Sequence, residues 1–191
     1  MAGGESVRIH TPRHLTLIQT ERLLLRPFTE ADAERLHALF DTHPDVWRYD
    51  GRFPRGLEQR RALLRWRMLD FEREGWGAMG VVIRASGELI GQAGLQYWLC
   101  PQADGTALPE VELFYKLGRD YWGQGYATEA GRVLLAYAFD HLRLRRVVST
   151  AARANEHSVA LMRRLGMRIS DDPSQPDEVL GTLERPRAAE D

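Results

Sequence analysis

The amino-acid sequence predicts an α+β protein with a mixed β-sheet. Short aliphatic and β-branched segments alternate with longer amphipathic segments, and several strand segments follow one another before a strand–helix–strand unit late in the chain. Strands joined by tight turns pair antiparallel, whereas a strand–helix–strand unit places its two strands parallel, so we expect both kinds of pairing. The 191 residues, 43 % of them hydrophobic, are enough to bury a core without disulfides or metal ions.

Seven segments are predicted as strands, because they are short, rich in aliphatic or β-branched residues and bounded by turn residues. They are 23–25 (within a longer extended stretch, 15–26), 78–84, 88–98, 110–117, 146–151, 167–170 and 178–183.

Four segments have the apolar spacing of amphipathic helices. They cover about 29–40, 57–74, 127–141 and 155–165. Thr29 with Asp32 resembles a helix start, while Gly75 and Gly166 are placed to end the second and fourth helices. A single domain is expected over 15–185, with flexible tails at 1–14 and 186–191.

Composition excludes several classes of protein. The net charge of −1 gives no general attraction to nucleic acid or to an anionic membrane. Cys100 is the single cysteine, and no histidine–cysteine spacing typical of a metal site occurs. No signal peptide or apolar run of transmembrane length is found. We therefore expect a cytoplasmic protein with no metal, nucleic-acid or membrane partner.

The segment that joins the predicted strand 110–117 to the helix 127–141 carries the strongest functional signal. Its Gly123-Gln124-Gly125 turn lets the backbone approach a ligand closely, and the following amides lie at a helix N-terminus, an arrangement suited to a pyrophosphate. A plain loop-to-helix turn is the alternative. A dinucleotide-binding motif would need a third glycine where Thr128 stands, and no Gly-Lys-Ser/Thr phosphate loop follows.

These residues resemble the signature Gln/Arg-x-x-Gly-x-Gly/Ala of the Gcn5-related N-acetyltransferase (GNAT) superfamily, which maps onto 122–127. Trp122 departs from the usual Gln or Arg, but the run through Tyr126, Ala127 and Thr128 is similar to the ribosomal-protein N-terminal acetyltransferase (RimJ/RimL-like) branch. Three further stretches resemble the same branch in order and spacing: 20–27, 89–95 and 155–167.

The resemblance implies an acyl-CoA N-acyltransferase fold. Such a fold has a central, mostly antiparallel sheet of six to seven strands, a splayed parallel pair and about four flanking helices. Acetyl-CoA is implied as co-substrate, its pantetheine arm entering between strands 110–117 and 146–151. The cofactor-binding residues implied are Leu117, Trp122, Gly123, Gln124, Gly125, Tyr126, Ala127, Thr128 and Asn155. Asn155 is equally suited to be a helix N-cap.

In this family an amine attacks the thioester directly and must be neutral to do so. Deprotonation at pH 7 costs about 4.6 kcal/mol for a lysine-like amine but about 1 kcal/mol for an α-amine. Glu112 is the predicted general base, since it lies on a strand that lines the expected gap. An unperturbed glutamate is a weak base, so the role requires burial, and a carboxylate on a solvated strand face is the alternative.

Ser158 is predicted to stabilise the leaving thiolate by a hydrogen bond. The superfamily often uses a tyrosine on the last main helix, but Met162 stands at that position and cannot donate a proton. Ser158 lies one turn earlier on the same face of the helix. The alternative is that Ser158 is simply a polar residue of the helix's first turn, with no part in the reaction.

The expected activity is transfer of an acetyl group to a primary amine of a small molecule or a protein N-terminus, by a monomer or homodimer. Met162 leaves open a non-catalytic acyl-CoA-binding module, and an acyltransferase using a larger acyl-CoA is a further alternative.

Two charged runs are assigned to solvated surface. The arginines at 60, 61, 65 and 67 are expected on an exposed helix face. The acids at 171, 172, 177 and 178 are expected in an exposed loop, with attraction of a cationic amine as the alternative.

Overall fold

The computed structural model describes residues 8–10, 17–49, 54–101, 104, 106–172 and 175–186. The strands in this part of the chain are β1 Arg8–His10, β2 Leu17–Gln19, β3 Leu23–Arg26, β4 Ala78–Ile83, β5 Leu89–Pro101, β6 Ala107–Leu117, β7 Arg146–Ala152, β8 Arg168–Asp171 and β9 Glu178–Glu184. The helices are α1 Asp32–Phe40, α2 Pro44–Trp47, α3 Leu57–Glu74, α4 Tyr126–Asp140 and α5 Glu156–Arg164, with a 3₁₀ turn at Arg119–Tyr121.

The strands form a sheet in the order β1-β2-β3-β4-β5-β6-β7-β9-β8. Among the strand pairs whose register is described, β6 with β7 is parallel and the others are antiparallel. The mixed, mostly antiparallel sheet with one parallel pair is therefore confirmed.

The described residues form nine strands where six to seven were predicted. Of the predicted extended stretch 15–26, the described residues 17–26 contain two strands, β2 and β3, because the chain turns between them and the Thr20 N–H donates to the Leu23 carbonyl at 2.9 Å. Arg8–His10 adds β1, which pairs with β2. These residues belong to the predicted tail 1–14, whose other members lie outside the described residues, as do 187–191 of the C-terminal tail. The short helix α2 is likewise additional.

The chain divides into two compact units. The first comprises Met1–Gly94 and Tyr115–Val133. It contains β1–β4, α1–α3, the first part of α4 and the adjoining parts of β5 and β6. Its core includes the fully buried side chains Ile18, Leu23, Leu25, Phe40 and Met79.

The predicted helix boundaries of the first unit are close to those observed. Asp32 opens α1, and its carboxylate accepts from the Thr29 N–H at 2.8 Å and from the Arg26 guanidinium at 2.7 Å. Gly75 ends α3 with a left-handed φ of 76°, which a residue with a Cβ rarely adopts.

One arginine of α3 is not on a solvated face. Arg60 is 3 % exposed, and its Nε and Nη2 donate to the two carboxylate oxygens of Asp41 at 2.8 and 2.7 Å. The prediction of an exposed basic run is wrong at this position, because Asp41, at the end of α1, provides a buried partner. Arg65, by contrast, is exposed.

The second unit comprises Leu95–Phe114 and Leu134–Asp191. In it β7 pairs with β9 over its whole length, from Arg146↔Glu184 to Ala152↔Glu178. Helix α5 packs closely on β9, since a Cβ built on Gly181 would lie 2.8 Å from the Met162 sulfur. The core of this unit includes Leu113, Leu134, Val147, Val148 and Met162.

Candidate active site

The connection between β6 and α4, in the first unit, has the backbone geometry that its sequence predicted. Gly123 and Gly125 have φ values of 75° and 82°, in the left-handed region that side-chain-bearing residues avoid. A Cβ on Gly125 would also approach Arg22 Nη2 to 3.3 Å. Both glycines are therefore required by the path of the chain.

The N-terminus of α4 offers backbone donors directly after this turn. The Glu129 N–H donates to the Gly125 carbonyl at 3.0 Å, as the first i to i−4 bond of the helix. The N–H groups of Tyr126, Ala127 and Thr128 precede it and have no acceptor within the helix. They lie at the positive end of the helix dipole. Such a turn fits two linked phosphates, as in the diphosphate of a CoA thioester.

Local hydrogen bonds hold the turn in shape. The Trp122 indole N–H donates to the Leu117 carbonyl at 2.9 Å, and Gln124 Nε2 donates to the Asp120 carbonyl at 2.9 Å. The Arg119 guanidinium stacks over the Trp122 ring, 4.8 Å from its centroid. The structure thus brings together three predicted cofactor residues, Leu117, Trp122 and Gln124. The Leu117 carbonyl already accepts one hydrogen bond and retains a second lone pair.

The 3₁₀ turn before the glycines is anchored through Tyr121. Its hydroxyl donates to Glu88 Oε1 at 2.6 Å and accepts from Arg35 Nη2 at 2.8 Å. Burial, followed by the hydrogen bond to Glu88, raises the pKa of Tyr121, so the phenol stays protonated as a donor. The cluster connects this turn to α1 and to the β4–β5 hairpin.

Arg22 is a residue of the site that sequence reasoning missed. Its Nη1 donates to the Gln124 carbonyl at 2.9 Å, and its Nε donates to Glu129 Oε2 at 2.7 Å. Burial by itself raises the pKa of Glu129, but hydrogen bonds from Thr20 and Arg22 outweigh it and lower the pKa below its ordinary value. The 20–27 stretch carried a family resemblance, yet no local pattern showed that Arg22 reaches this turn.

Glu112 lies in the second unit and is buried, 6 % exposed. Its Oε1 accepts from the Thr150 hydroxyl at 2.7 Å and from the Thr150 N–H at 3.2 Å. Its Oε2 accepts from Gln96 Nε2 at 2.6 Å. The alternative of a solvated strand face is therefore excluded for Glu112. Thr150 and Gln96 were not predicted; the parallel register of two strands would have indicated Thr150, but nothing in the sequence singles out Gln96.

The parallel pair β6–β7 is held by side chains on either side of a short backbone contact. In the described register the two strands pair at Glu112↔Val148. Two residues earlier on each strand, the Glu110 carboxylate accepts from Arg146 Nε at 2.8 Å. Two residues after Val148, the Thr150 N–H is taken by the Glu112 side chain. A carboxylate thus takes the place of a strand carbonyl, as expected where two strands diverge.

Asn155 and Ser158 form the N-terminal cap of α5. Asn155 Oδ1 accepts from the Ser158 N–H at 3.2 Å, which confirms the capping role. The cap uses one lone pair of Oδ1, so the second lone pair and the two Nδ2 donors are left for a contact of Asn155 with a cofactor. Met162, one turn after Ser158, is fully buried.

The acidic residues around β8 and β9 differ in environment. Asp171 is exposed and pairs with Arg153 at 2.8 Å, whereas Asp172 is 4 % exposed. Burial, and then the charges of Asp172 and Glu112, raises the pKa of Glu178. The prediction of a solvated acidic loop is therefore wrong for Asp172.

The described residues contain neither a metal-binding cluster nor a membrane-spanning helix. No group of three or more His, Cys, Asp or Glu side chains there is arranged to hold a metal ion. Nor is any helix in that part of the chain long and apolar enough to cross a membrane.

Comparison with known proteins identifies the family. A family model described as "Acetyltransferase (GNAT) domain" matches residues 22–168. An uncharacterized N-acetyltransferase, p20 of Bacillus licheniformis, is 30 % identical over 153 residues, covering 79 % of this chain and 82 % of that protein. This chain belongs to the GNAT family. It is an enzyme that transfers acetyl groups from acetyl-CoA.

Solved structures agree with this assignment. The crystal structure of an acetyltransferase from Agrobacterium tumefaciens matches with a TM-score of 0.74 at 27 % identity, covering 95 % of this chain and 99 % of that chain. RimL, a ribosomal L7/L12 alpha-N-protein acetyltransferase in complex with coenzyme A, matches with a TM-score of 0.68 at 19 % identity, covering 88 % of this chain and 97 % of that chain. The second likeness shows the fold alone.

Proposed function

We propose that the turn from Trp122 to Thr128 holds the pyrophosphate of acetyl-CoA, and that Glu112 is the general base for a primary-amine acceptor. The observation that supports pyrophosphate binding is the geometry of the turn. Two glycines with left-handed φ values precede the N-terminus of α4, where backbone N–H groups have no acceptor within the helix. Leu117 and Asn155 are proposed to contact the pantetheine arm.

The chemistry assigned to this chain is a direct transfer. Bound acetyl-CoA supplies an acyl carbon whose leaving group is a thiolate. Glu112 takes a proton from the ammonium form of the acceptor, and the neutral nitrogen then bonds to that carbon as the carbon–sulfur bond breaks; the proton that the nitrogen releases in this step goes to the departing thiolate. Ser158 donates a hydrogen bond to the departing sulfur, a role that Met162 cannot fill.

The surroundings of Glu112 support its assignment as a base. The carboxylate is nearly excluded from solvent and fixed by three donors, so its orientation is set before an acceptor arrives. Oε1 accepts two of these bonds and Oε2 only one, so Oε2 retains a lone pair for a further donor. A buried base is of most use to a lysine-like amine, whose deprotonation at pH 7 costs about 4.6 kcal/mol.

For the acceptor we propose a primary amine of a protein N-terminus or of a small molecule. The sequence motifs that resemble the RimJ/RimL-like branch put protein N-termini first in any test, and RimL, with which this chain shares its fold, acts on a ribosomal protein. The carboxylates of Glu112, Asp172 and Glu178 provide negative charge that attracts a protonated amine.

The acceptor class is tested by measuring thiol release from acetyl-CoA with peptides, polyamines and amino sugars side by side. We expect steady release with at least one class of primary amine. Tight binding of acetyl-CoA with no release from any amine would instead indicate a binding module. Faster release from propionyl- or succinyl-CoA would indicate a larger natural acyl group.

The base is tested with Glu112→Gln, which we expect to lower kcat by about 10²-fold while the Kd for acetyl-CoA stays within a few fold. Because a neutral amine needs no base, the deficit should shrink as the pH rises through the pKa of the acceptor. Glu110→Gln, two residues earlier on β6, is the matched control. A deficit that is independent of pH, or an equal loss of binding, would remove the assignment.

We also propose one acetyltransferase domain over 15–185, supported by the family match to residues 22–168. A cytoplasmic location and a monomeric or homodimeric state stay predictions, the latter testable by light scattering.

A further inference from the structure

We infer that Arg22 is a positioning residue that sets the phosphate-binding turn before ligand arrives; this rests on the proposed binding of acetyl-CoA at that turn. Arg22 lies between β2 and β3, far in sequence from the turn. Within the first unit its guanidinium nevertheless contacts Gln124 and Tyr126 of that turn and lies beside Gly125 between them.

The guanidinium makes a different kind of approach to each of these three residues: a hydrogen bond, a close steric approach and a stacking contact. Nη1 donates to the Gln124 carbonyl at 2.9 Å. Nη2 lies 3.3 Å from the position that a Cβ on Gly125 would occupy. The guanidinium carbon stacks 4.7 Å from the centroid of the Tyr126 ring. A flat, forked cation suits this set of contacts, whereas a single ammonium group does not.

The hydrogen bond to Gln124 also determines where the next amide points. In a planar trans peptide the carbonyl and the following N–H point in opposite directions. With the Gln124 carbonyl held toward Arg22, the Gly125 N–H is directed to the other side of the turn. Arg22 thereby fixes a donor of the proposed cradle without touching the phosphates itself.

Arg22 is itself held on both its side chain and its backbone. Glu129 accepts from Arg22 Nε at 2.7 Å and from the Arg22 N–H at 2.9 Å, and it also accepts from the Thr20 hydroxyl. The Arg22 carbonyl accepts from the Arg84 N–H at 2.9 Å. Arg84 Nη1 donates to the carbonyls of Thr20 and Glu21 at 2.6 and 2.9 Å. The guanidinium is thus oriented by the protein alone.

The test uses two acetyl donors, acetyl-CoA and S-acetyl-N-acetylcysteamine, a thioester without phosphates. For Arg22→Met we expect the Kd and KM for acetyl-CoA to rise at least tenfold, with kcat/KM for the short thioester unchanged within twofold. Arg22→Lys should not restore binding, because lysine lacks the fork. Glu129→Gln should shift binding in the same direction by a smaller factor. Arg132→Met, an exposed arginine of α4, is the charge-matched control and should bind as wild type.

The outcomes separate this inference from the proposed function. If wild type does not bind acetyl-CoA, the proposed function fails. If wild type binds and Arg22→Met binds equally well, the positioning role alone fails. Full rescue by Arg22→Lys would show that charge is sufficient and would overturn the geometric argument. Equal losses with both thioesters would mark a general structural defect and would also overturn it.

Discussion

At the scale of single residues, the proposed binding of acetyl-CoA depends most on the backbone conformation at Gly125. Its φ of 82° places the residue where a Cβ costs about 1–2 kcal/mol, and the same Cβ would press on the Arg22 guanidinium. The turn has no regular hydrogen-bond ladder to resist such a change. A substitution there therefore alters the direction of the amides as well as the stability.

We predict that Gly125→Ala weakens acetyl-CoA binding at least tenfold in calorimetry. Gly87→Ala is the matched control, since Gly87 has a similar φ of 72° in the β4–β5 turn and open space around its Cβ position. Both variants carry comparable backbone strain, but only Gly125→Ala displaces the backbone N–H groups that are proposed to bind the phosphates. Equal binding by the two variants would contradict the assigned role of the turn.

At the scale of elements, α1 and α3 are joined by a buried ion pair. Asp41 follows the last residue of α1, and its carboxylate accepts two bonds from Arg60 and one from the Arg55 N–H at 3.1 Å. Both side chains are almost inaccessible, 2 % and 3 % exposed. Removing one partner leaves the other as an uncompensated buried charge.

Asp41→Asn is accordingly predicted to lower the free energy of unfolding by about 3–5 kcal/mol in urea titrations. The comparison is Arg61→Met on the same helix, which removes exposed ion pairs with Glu34 and Glu58 and should leave stability nearly unchanged. If the two variants lose similar stability, the buried pair has no special role.

The start of α1 predicts a dependence of stability on pH. Burial alone would raise the pKa of Asp32, but the Arg26 and Thr29 hydrogen bonds prevail and lower it from 3.8. The folded carboxyl thus has a lower pKa than the unfolded one. Its stabilising contribution is fully present above about pH 4–5 and is lost as the pH falls through the folded pKa.

We expect the free energy of unfolding of wild type to fall between pH 5 and pH 3, and to fall less steeply in Asp32→Asn. Urea titrations at intervals of half a pH unit measure both slopes. Identical slopes for the two proteins would show that Asp32 does not contribute to acid sensitivity.

At the scale of the whole molecule, ligand binding and folding are coupled because acetyl-CoA binds the folded chain. At a ligand concentration one hundred times the Kd, the folded state gains about 2.7 kcal/mol. For a chain of 191 residues this corresponds to a rise in Tm of about 5–10 °C. Thermal scans with increasing acetyl-CoA measure the shift, and Gly125→Ala should show about half of it or less, since a tenfold higher Kd reduces the gain to about 1.4 kcal/mol. A wild-type Tm that does not respond would contradict cofactor binding.

The amino-acid sequence by itself determined the order of most helices and strands, the glycine turn and the family resemblance. These features are local: apolar periodicity, helix-ending glycines and the absence of a Cβ at Gly123 and Gly125 act over a few residues. The sequence also predicted the strand on which Glu112 lies, and the burial of Glu112 there agrees with the proposed role.

Only the tertiary structure decided which charged residues are buried and what they contact. Arg60 and Arg65 belong to the same basic run of the sequence. In the structure Arg60 is buried and pairs with the Asp41 carboxylate, whereas Arg65 is exposed to solvent. Arg22 reaches Gln124 and Glu129 across more than one hundred positions of the chain. Such pairings depend on how distant elements pack, and no local periodicity encodes them.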